Sequence, residues 1–440
     1  MELSRRTFIS GAVAAALFRT GWAATANDAR IFAPNGGRAA DFLMCRRMYL
    51  DICGRIPTRA EVEAYVAKRD VYKQKKLVEE LLETDDYADY WSMRYCDFLR
   101  VKSEFPINLW PNAVYVYHRR IRDSILHDEP WNDFARALLY GRGSDFRVPE
   151  SNFLRASAEK TPEGISEAVS TSLLLDPTPK YARYFSRVGM KSTREWKEVI
   201  TYLKEGPADA TPEAFMELLE GPLAEKFFAT PIHRVHYWTY GTRAPRAALN
   251  KWMSAFRAGG WRLKPLLRFV FTQPEYLRGP GKGGFPARRL DAEVLDDAIC
   301  SLTGSMRSFS SIAPEPFSFL PPARKSILVE DGSISSAFLL LFGRPARDSG
   351  LLEERDNRIT AKQRLYLYNS SKLWRELGTM VRTPEFRELS HQDQIIDLYY
   401  RFLGRPPVKD ELFYLDKKNN INPRDVAWYL LNSREFLYRI

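Results

Sequence analysis

"CGRIPTRAE" (residues 53–61) returns in altered form as "FGRPARDSG" (342–350) and "LGRPPVKDE" (403–411), with a looser copy, "YGTRAPRAA", at 240–248. The first and last copies follow the amphipathic runs "RRMYLDIC" and "IIDLYYRFL". Gly54 and Gly404 suit the left-handed turn that closes a helix, and the proline that follows, Pro57 or Pro406, prevents continuation. Gly343 and Pro345 repeat the arrangement. In the first copy Thr58 and Glu61 have the spacing of a capping box, so a new helix starts at once. The motif therefore reads as a helix stop followed by a helix start. Arg55, Arg344 and Arg405 are expected to cap carbonyls of the preceding helix or to pair with a nearby acid, rather than to bind a ligand.

After each junction a second helix leads to an aromatic residue, Tyr87, Tyr276, Trp374 or Phe436, at 33, 35, 31 and 32 residues beyond the glycine. Such near-constant spacing implies one helical hairpin used four times, without the contiguity of a solenoid. Helix-start signals are frequent elsewhere: Thr161-Pro162, Thr178-Pro179, Thr211-Pro212, Thr230-Pro231, Thr383-Pro384 and Asn422-Pro423 each place a capping side chain before a proline suited to the first helical position. Alternating strand patterns are nearly absent. The expected fold class is all-α, with two irregular multi-helix domains at 27–190 and 211–440. They are joined by 191–210, where polar residues and a Gly-Pro interrupt the packed pattern. "GPGKGGFPARR" (279–289) and "SIAPEPFSFLPPARKS" (311–326) read as loops inside the second half.

Residues 1–26 are set aside as a leader. "SRRTFIS" (4–10) pairs two arginines with a phenylalanine, an apolar run "GAVAAALF" follows, and "ATA" (24–26) offers a small-residue cleavage site, the pattern of twin-arginine export. The expected localisation is the periplasm or cell surface, with no transmembrane segment once the leader is removed. A chain 45% apolar and 28% charged is otherwise that of a globular protein. Its net charge of +11 falls to +9 when Arg5, Arg6, Arg19 and Glu2 leave, since 63 basic then face 54 acidic residues. That surplus favours an acidic partner such as a sulfated or uronic-acid polysaccharide, with nucleic acid excluded by the location. Cys45, Cys53, Cys96 and Cys300 form no C-x-x-C pair, and Cys45 and Cys53 on one helix would stand roughly 12 Å apart, too far for a disulfide. They read mostly as buried thiols.

Taken together, "RRMYLDICGRIPTRAEVEAYV", "YKQKKLVEELLETDDYADYW", "PWNDFARALLYGRGSDFRVPESNFLRA" and "TPEGISEAV" resemble the planctomycete cytochrome-associated family called domain of unknown function 1549. "HRVHYWTYGTRA", "FRAGGWRLKPLLRFVFTQPEYLR", "RRLDAEVLDDAICSLTG", "LFGRPARDSGLLEERDNRITAKQRLYLYNSS" and "LYYRFLGRPPVKDEL" resemble its companion, domain of unknown function 1553. The resemblance implies an exported protein of planctomycete type, found beside cytochrome or polysaccharide and sulfatase functions, without an agreed activity. The family's C-x-x-C-H-x-H-P segment is replaced here by "STSLLLDPTPKYARYFSRV", which contains neither Cys nor His. No cofactor is therefore expected.

Of the chemical constellations, His233-x-x-His236, flanking Arg234, would set two imidazoles on one helical face, but no third metal ligand has a recognisable spacing. His118 and His127 read as packed histidines. "FPINLWPNAVYVYHRR" (105–120) interleaves aromatic and basic residues, and Trp110, Tyr117, Arg119 and Arg120 are its candidates for holding an anionic sugar by stacking and charge. The neighbouring acids Asp85-Asp86 and Asp296-Asp297 point to different faces of a helix, which disfavours acid–base work. Nucleophile-elbow, phosphate-loop, dinucleotide and zinc-protease motifs are absent. The expected function is a non-catalytic binding or scaffold protein of the cell envelope that engages an acidic glycan or a co-exported protein. The alternatives are a hydrolase or lyase acting on anionic polysaccharide and an accessory to a cytochrome.

Overall fold

The computed structural model describes residues 40–192, 198–202, 207–280, 284–311, 324–415 and 421–440. The expected leader, and most of the proline-rich connector at 311–326, lie outside them. Helices dominate, as expected, and no described helix is long and apolar enough to cross a membrane.

The four junction glycines, Gly54, Gly241, Gly343 and Gly404, all adopt positive φ, between 63° and 83°. A side chain at Gly54 would overlap the Tyr90 ring, its Cβ falling 2.8 Å from Cγ, so this turn needs glycine for space as well as for conformation. Thr58 then closes the capping box with Glu61 and starts helix Arg59–Ala67. Thr161, Thr178, Thr211 and Asn422 likewise accept a backbone N–H at the start of their helical segments.

Two expectations need correction. Thr230-Pro231 does not open a helix: helix Ala224–Tyr240 runs straight through it, and the Thr230 hydroxyl turns back to Lys226 O at 3.1 Å. Proline there forfeits a backbone bond at a cost of about 3 kcal/mol. Burial of Phe227, Ile232 and Val235 on the same helix offsets it, each such side chain being worth about 1.5–3 kcal/mol. The second correction concerns the polar stretch read as a linker. It carries strands β2 (Val188–Ser192) and β3 (Glu198–Tyr202), paired antiparallel with Met190 opposite Ile200, while β1 (Gly143–Ser144) pairs with the other edge of β3. Val199, Ile200 and Thr201 supply the β-branched side chains that favour extended backbone.

The first and last hairpins are the same unit. Helix Asp41–Ile52 ends at Gly54, and Arg55 forks onto Glu61 (2.7 and 2.9 Å) while its Nε reaches Asp86 at 2.7 Å. Helix His391–Leu403 ends at Gly404, and Arg405 forks onto Glu411 (2.8 and 2.9 Å) and onto Glu435 (2.7 and 2.8 Å). Tyr49 lies under the first guanidinium and Tyr399 under the second. Thr84 and Ser433 cap the helices, Asp85–Phe98 and Arg434–Leu437, that bring in the outer acids. Arg344 departs from this pattern. Its guanidinium enters the chain turn that follows the connector, donating to Val329 O and Asp331 O at 3.2 Å and to Ile334 O, with Glu293 3.4 Å away. Arg55 and Arg405 thus take the acid pairing expected of them, whereas Arg344 bonds carbonyls of the chain ahead of helix Ala337–Leu341 and not those of the helix itself.

The two equivalent units pack together. Arg46 donates to Phe436 O (3.0 Å) and Tyr438 O (3.1 Å), Arg47 donates to Ile440 O (2.9 Å), and Arg59 lies over the Tyr400 ring. One buried apolar cluster extends from Leu43 to Ile440 and takes side chains from both stretches flanking 191–210. The last residues close a two-stranded ladder, β4 (Arg288–Arg289) with β5 (Tyr438–Arg439).

Candidate functional site

β4 and β5 border a polar cleft completed by helices Asp41–Ile52, Asp85–Phe98 and Ala292–Thr303. Arg94 donates to Asp291 at 2.7 Å and to the Tyr90 hydroxyl, which itself bonds Asp291 at 3.2 Å. Asn357 supplies a further donor to Asp291 at 2.7 Å. Burial pushes the Asp291 carboxyl up, but Arg94, Arg355 and Asn357 outweigh it and hold the group well below the usual carboxylate range. Arg439 pairs with Asp51, which also accepts the Tyr276 hydroxyl at 2.8 Å. Arg289 bonds Phe342 O (2.6 Å), Asp356 O and Leu290 O (both 2.8 Å), while Arg288 bonds Trp238 O (3.0 Å) and Tyr237 O at a helix end. The free interior of the cleft is close to one water molecule in size, too small for a sugar ring.

Next to this cleft lies a second, largely buried network. Asp97 receives Arg347 (3.0 Å) and Arg355 (2.8 Å), and Glu293 receives Arg355 at 2.6 Å. The Asp97 contacts join residues 250 and 258 positions apart and the Glu293 contact residues 62 apart, and little of that was legible locally.

The residues singled out in the sequence do not converge. His236 is held by Thr242 O at 2.7 Å and packs between the rings of Tyr240 and Trp252; His233 is half-buried beside Arg243, and its Nδ1 has no partner. Burial lowers the pKa of both, and among the described residues no group of three metal-ligating side chains forms. Arg234 is buried 3.6 Å from the centre of the Phe98 ring and donates to Thr171 O at 3.2 Å. Burial, reinforced by Arg347, Arg324 and Arg122, pushes His118 down to about 3, so it is neutral near pH 7.

In helix Pro111–Leu126, Tyr117 points into the core and Arg120 is taken by Glu129 (2.8 and 3.0 Å) and Glu150 (2.5 Å). Trp110 is the half-buried residue before the helix. Only Arg119 of the four candidates is exposed, and the exposed aromatic on its face is Tyr115, one turn earlier, with Phe105 81% exposed in the preceding loop. The i, i+4 spacing of Tyr115 and Arg119 was the signal that identifies this face.

Asp296 and Asp297 do point apart, yet both hold one chain turn. Asp296 accepts Arg307 (2.7 Å) and the Ser326 hydroxyl (2.8 Å), and Asp297 accepts the backbone N–H groups of Ser326 (2.6 Å) and Ile327 (3.1 Å). All four cysteines are free thiols, and burial pushes each up to about 12.

Residues 31–204 match one family model. Its description is PSCyt2, protein of unknown function (DUF1549). The PSCyt2-like segment contributes Leu50, Tyr90 and Arg94 to the cleft, whereas the four other charged residues lining it, Arg288, Arg289, Asp291 and Arg439, lie beyond the match. The cleft is therefore built where that segment meets the rest of the chain. No curated protein and no solved structure matches the sequence.

Proposed function

We propose that the protein is an exported, non-catalytic binding or scaffold component of the cell envelope, and that its partner is a co-exported protein rather than an acidic glycan. One observation carries the choice. Among the described residues sixteen basic but only seven acidic side chains are buried, a difference of nine, the same as the surplus of 63 basic over 54 acidic residues in the chain without its expected leader. The positive surplus is thus mostly internal, spent on carbonyls by residues such as Arg46, Arg100 and Arg289. Its field still reaches solvent, but close pairing with sulfate or carboxylate groups needs surface cations in excess, and those are nearly balanced.

The buried groups with chemical potential are likewise committed inward, most carboxylates to arginines, Asp297 and Asp331 to backbone N–H groups, and the thiols held protonated. What faces outward on helix Pro111–Leu126 is Tyr115 with Arg119, next to Phe105, a composition suited to a protein interface. Residues 211–440 are read as the companion domain of the planctomycete pairing, and the missing C-x-x-C-H segment removes the family's haem position. The test is quantitative affinity capture from an exporting cell with the wild type and with Phe105→Ser/Tyr115→Ser. A stoichiometric protein retained by the first and lost by the second supports the reading. Product release from a polysaccharide, abolished by one substitution, would replace it with the enzymatic alternative.

A further inference from the structure

The cleft beside β4 and β5 holds more cation than it neutralises. Arg94 and Arg439 each have a carboxylate, but Arg288 and Arg289 form no ion pair among the described residues and bond only carbonyl oxygens. Carbonyl dipoles solvate a guanidinium without cancelling its charge, so two net charges remain, that of Arg289 buried and that of Arg288 half-buried. The Nε–H groups of Arg94, Arg289 and Arg439 are buried with no hydrogen-bond partner among the described residues. Arg46, Arg100 and Arg234 also lack an acid, but none of them lines the cleft.

A ligand for this place must be anionic, must accept several N–H donors at once, and must be small, close to water in size. Sulfate, phosphate and carboxylates are several atoms across, while a chloride ion, somewhat larger than a water molecule, comes nearest to all three demands. We propose that this cleft, bordered by Arg94, Arg288, Arg289 and Arg439, is a chloride site. The ion bridges the PSCyt2-like segment, through Arg94, to the chain beyond it, through Arg288, Arg289 and Arg439, so it ties the two together. Burial, followed by the neighbouring Arg439, lowers the Arg288 pKa to about 10, in keeping with a cation short of counter-charge. The inference is independent of the identity of any protein partner.

The experiment compares thermal unfolding of the full chain in sodium chloride and in sodium gluconate at constant ionic strength, together with bromide anomalous diffraction from wild-type crystals. We expect a saturable rise in Tm of a few degrees with chloride that gluconate does not give. The same rise should be absent in Arg288→Gln, and a bromide peak should lie within hydrogen-bond reach of Arg288 and Arg289. Superimposable chloride and gluconate curves would overturn the proposal, as would a chloride response that persists in Arg288→Gln. If that variant fails to fold, the bromide map decides alone, and a cleft without a peak refutes the site.

Discussion

Replacing Arg405 with Met removes the guanidinium of the second clamp while preserving most of its packing volume. The side chain is 9% exposed and holds Glu411 and Glu435, 21% and 13% exposed, through four bonds of 2.7–2.9 Å. Without it two carboxylates face each other in a largely dry junction, and breaking such a pair by removing one partner costs about 3–5 kcal/mol. The first clamp has the same connectivity but side-chain exposures of 32%, 29% and 29%, so solvent screens it and Arg55→Met should cost only about 1–2 kcal/mol. Urea unfolding of both variants measures the difference. Most of the Arg405→Met loss is the stranding of acids, so adding Glu411→Gln and Glu435→Gln should recover more than half of it. Equal losses from the two arginines, or no recovery on neutralising the acids, would refute the assignment of the effect to buried charge.

The glycine turns should rank by space. Gly404→Ala meets its nearest atoms only at 3.7 Å and should lose about 1–2 kcal/mol from left-handed strain, whereas Gly54→Ala must also displace Tyr90 and should lose clearly more by urea unfolding. Asp297 gives a pH signature. Burial, only partly opposed by two backbone donors, raises its carboxyl to about 7. The native state therefore keeps a proton that the unfolded chain releases near pH 4, and stability should fall as pH rises from about 4 to 7. Asp297→Asn should flatten that fall and gain about 1–3 kcal/mol at pH 8, measured by unfolding across the range; an unchanged slope would contradict the raised value. Thiol titration with an aromatic disulfide reagent at pH 8 should find at most one reactive cysteine in the native protein and four in urea, since burial holds all four thiols up to about 12.

Glycine punctuation and threonine caps were readable because they are local: Gly54, Gly404, Thr58 and Thr211 act on residues within one or two turns. The pairing of Arg55 and Arg405 with an acid was also within reach, because Glu61 and Glu411 lie six residues on. What sequence pattern could not show is where charge goes. Arg46 and Arg47 sit on a helix face covered by residues 436–440 and 276–278, so a run that reads as basic surface is interior. Pro231 misled for a related reason, because tertiary burial of Phe227 and Ile232 outweighed a local stop signal. The aromatic–basic stretch was recognised as a whole, but only helical phase separates outward Tyr115 and Arg119 from inward Tyr117 and the ion-paired Arg120.

The central claim is that the chain's positive surplus is internal and does not serve a polyanion. The most direct measurement is binding of residues 27–440 to a sulfated polysaccharide by titration calorimetry between 25 and 200 mM salt, a range across which each ionic contact would weaken binding roughly sixfold. The account predicts weak binding whose logarithm falls with log salt at a slope near that of one or two ionic contacts. Tight binding at about 150 mM salt with a slope of six or more contacts would contradict it and restore the acidic glycan as the partner.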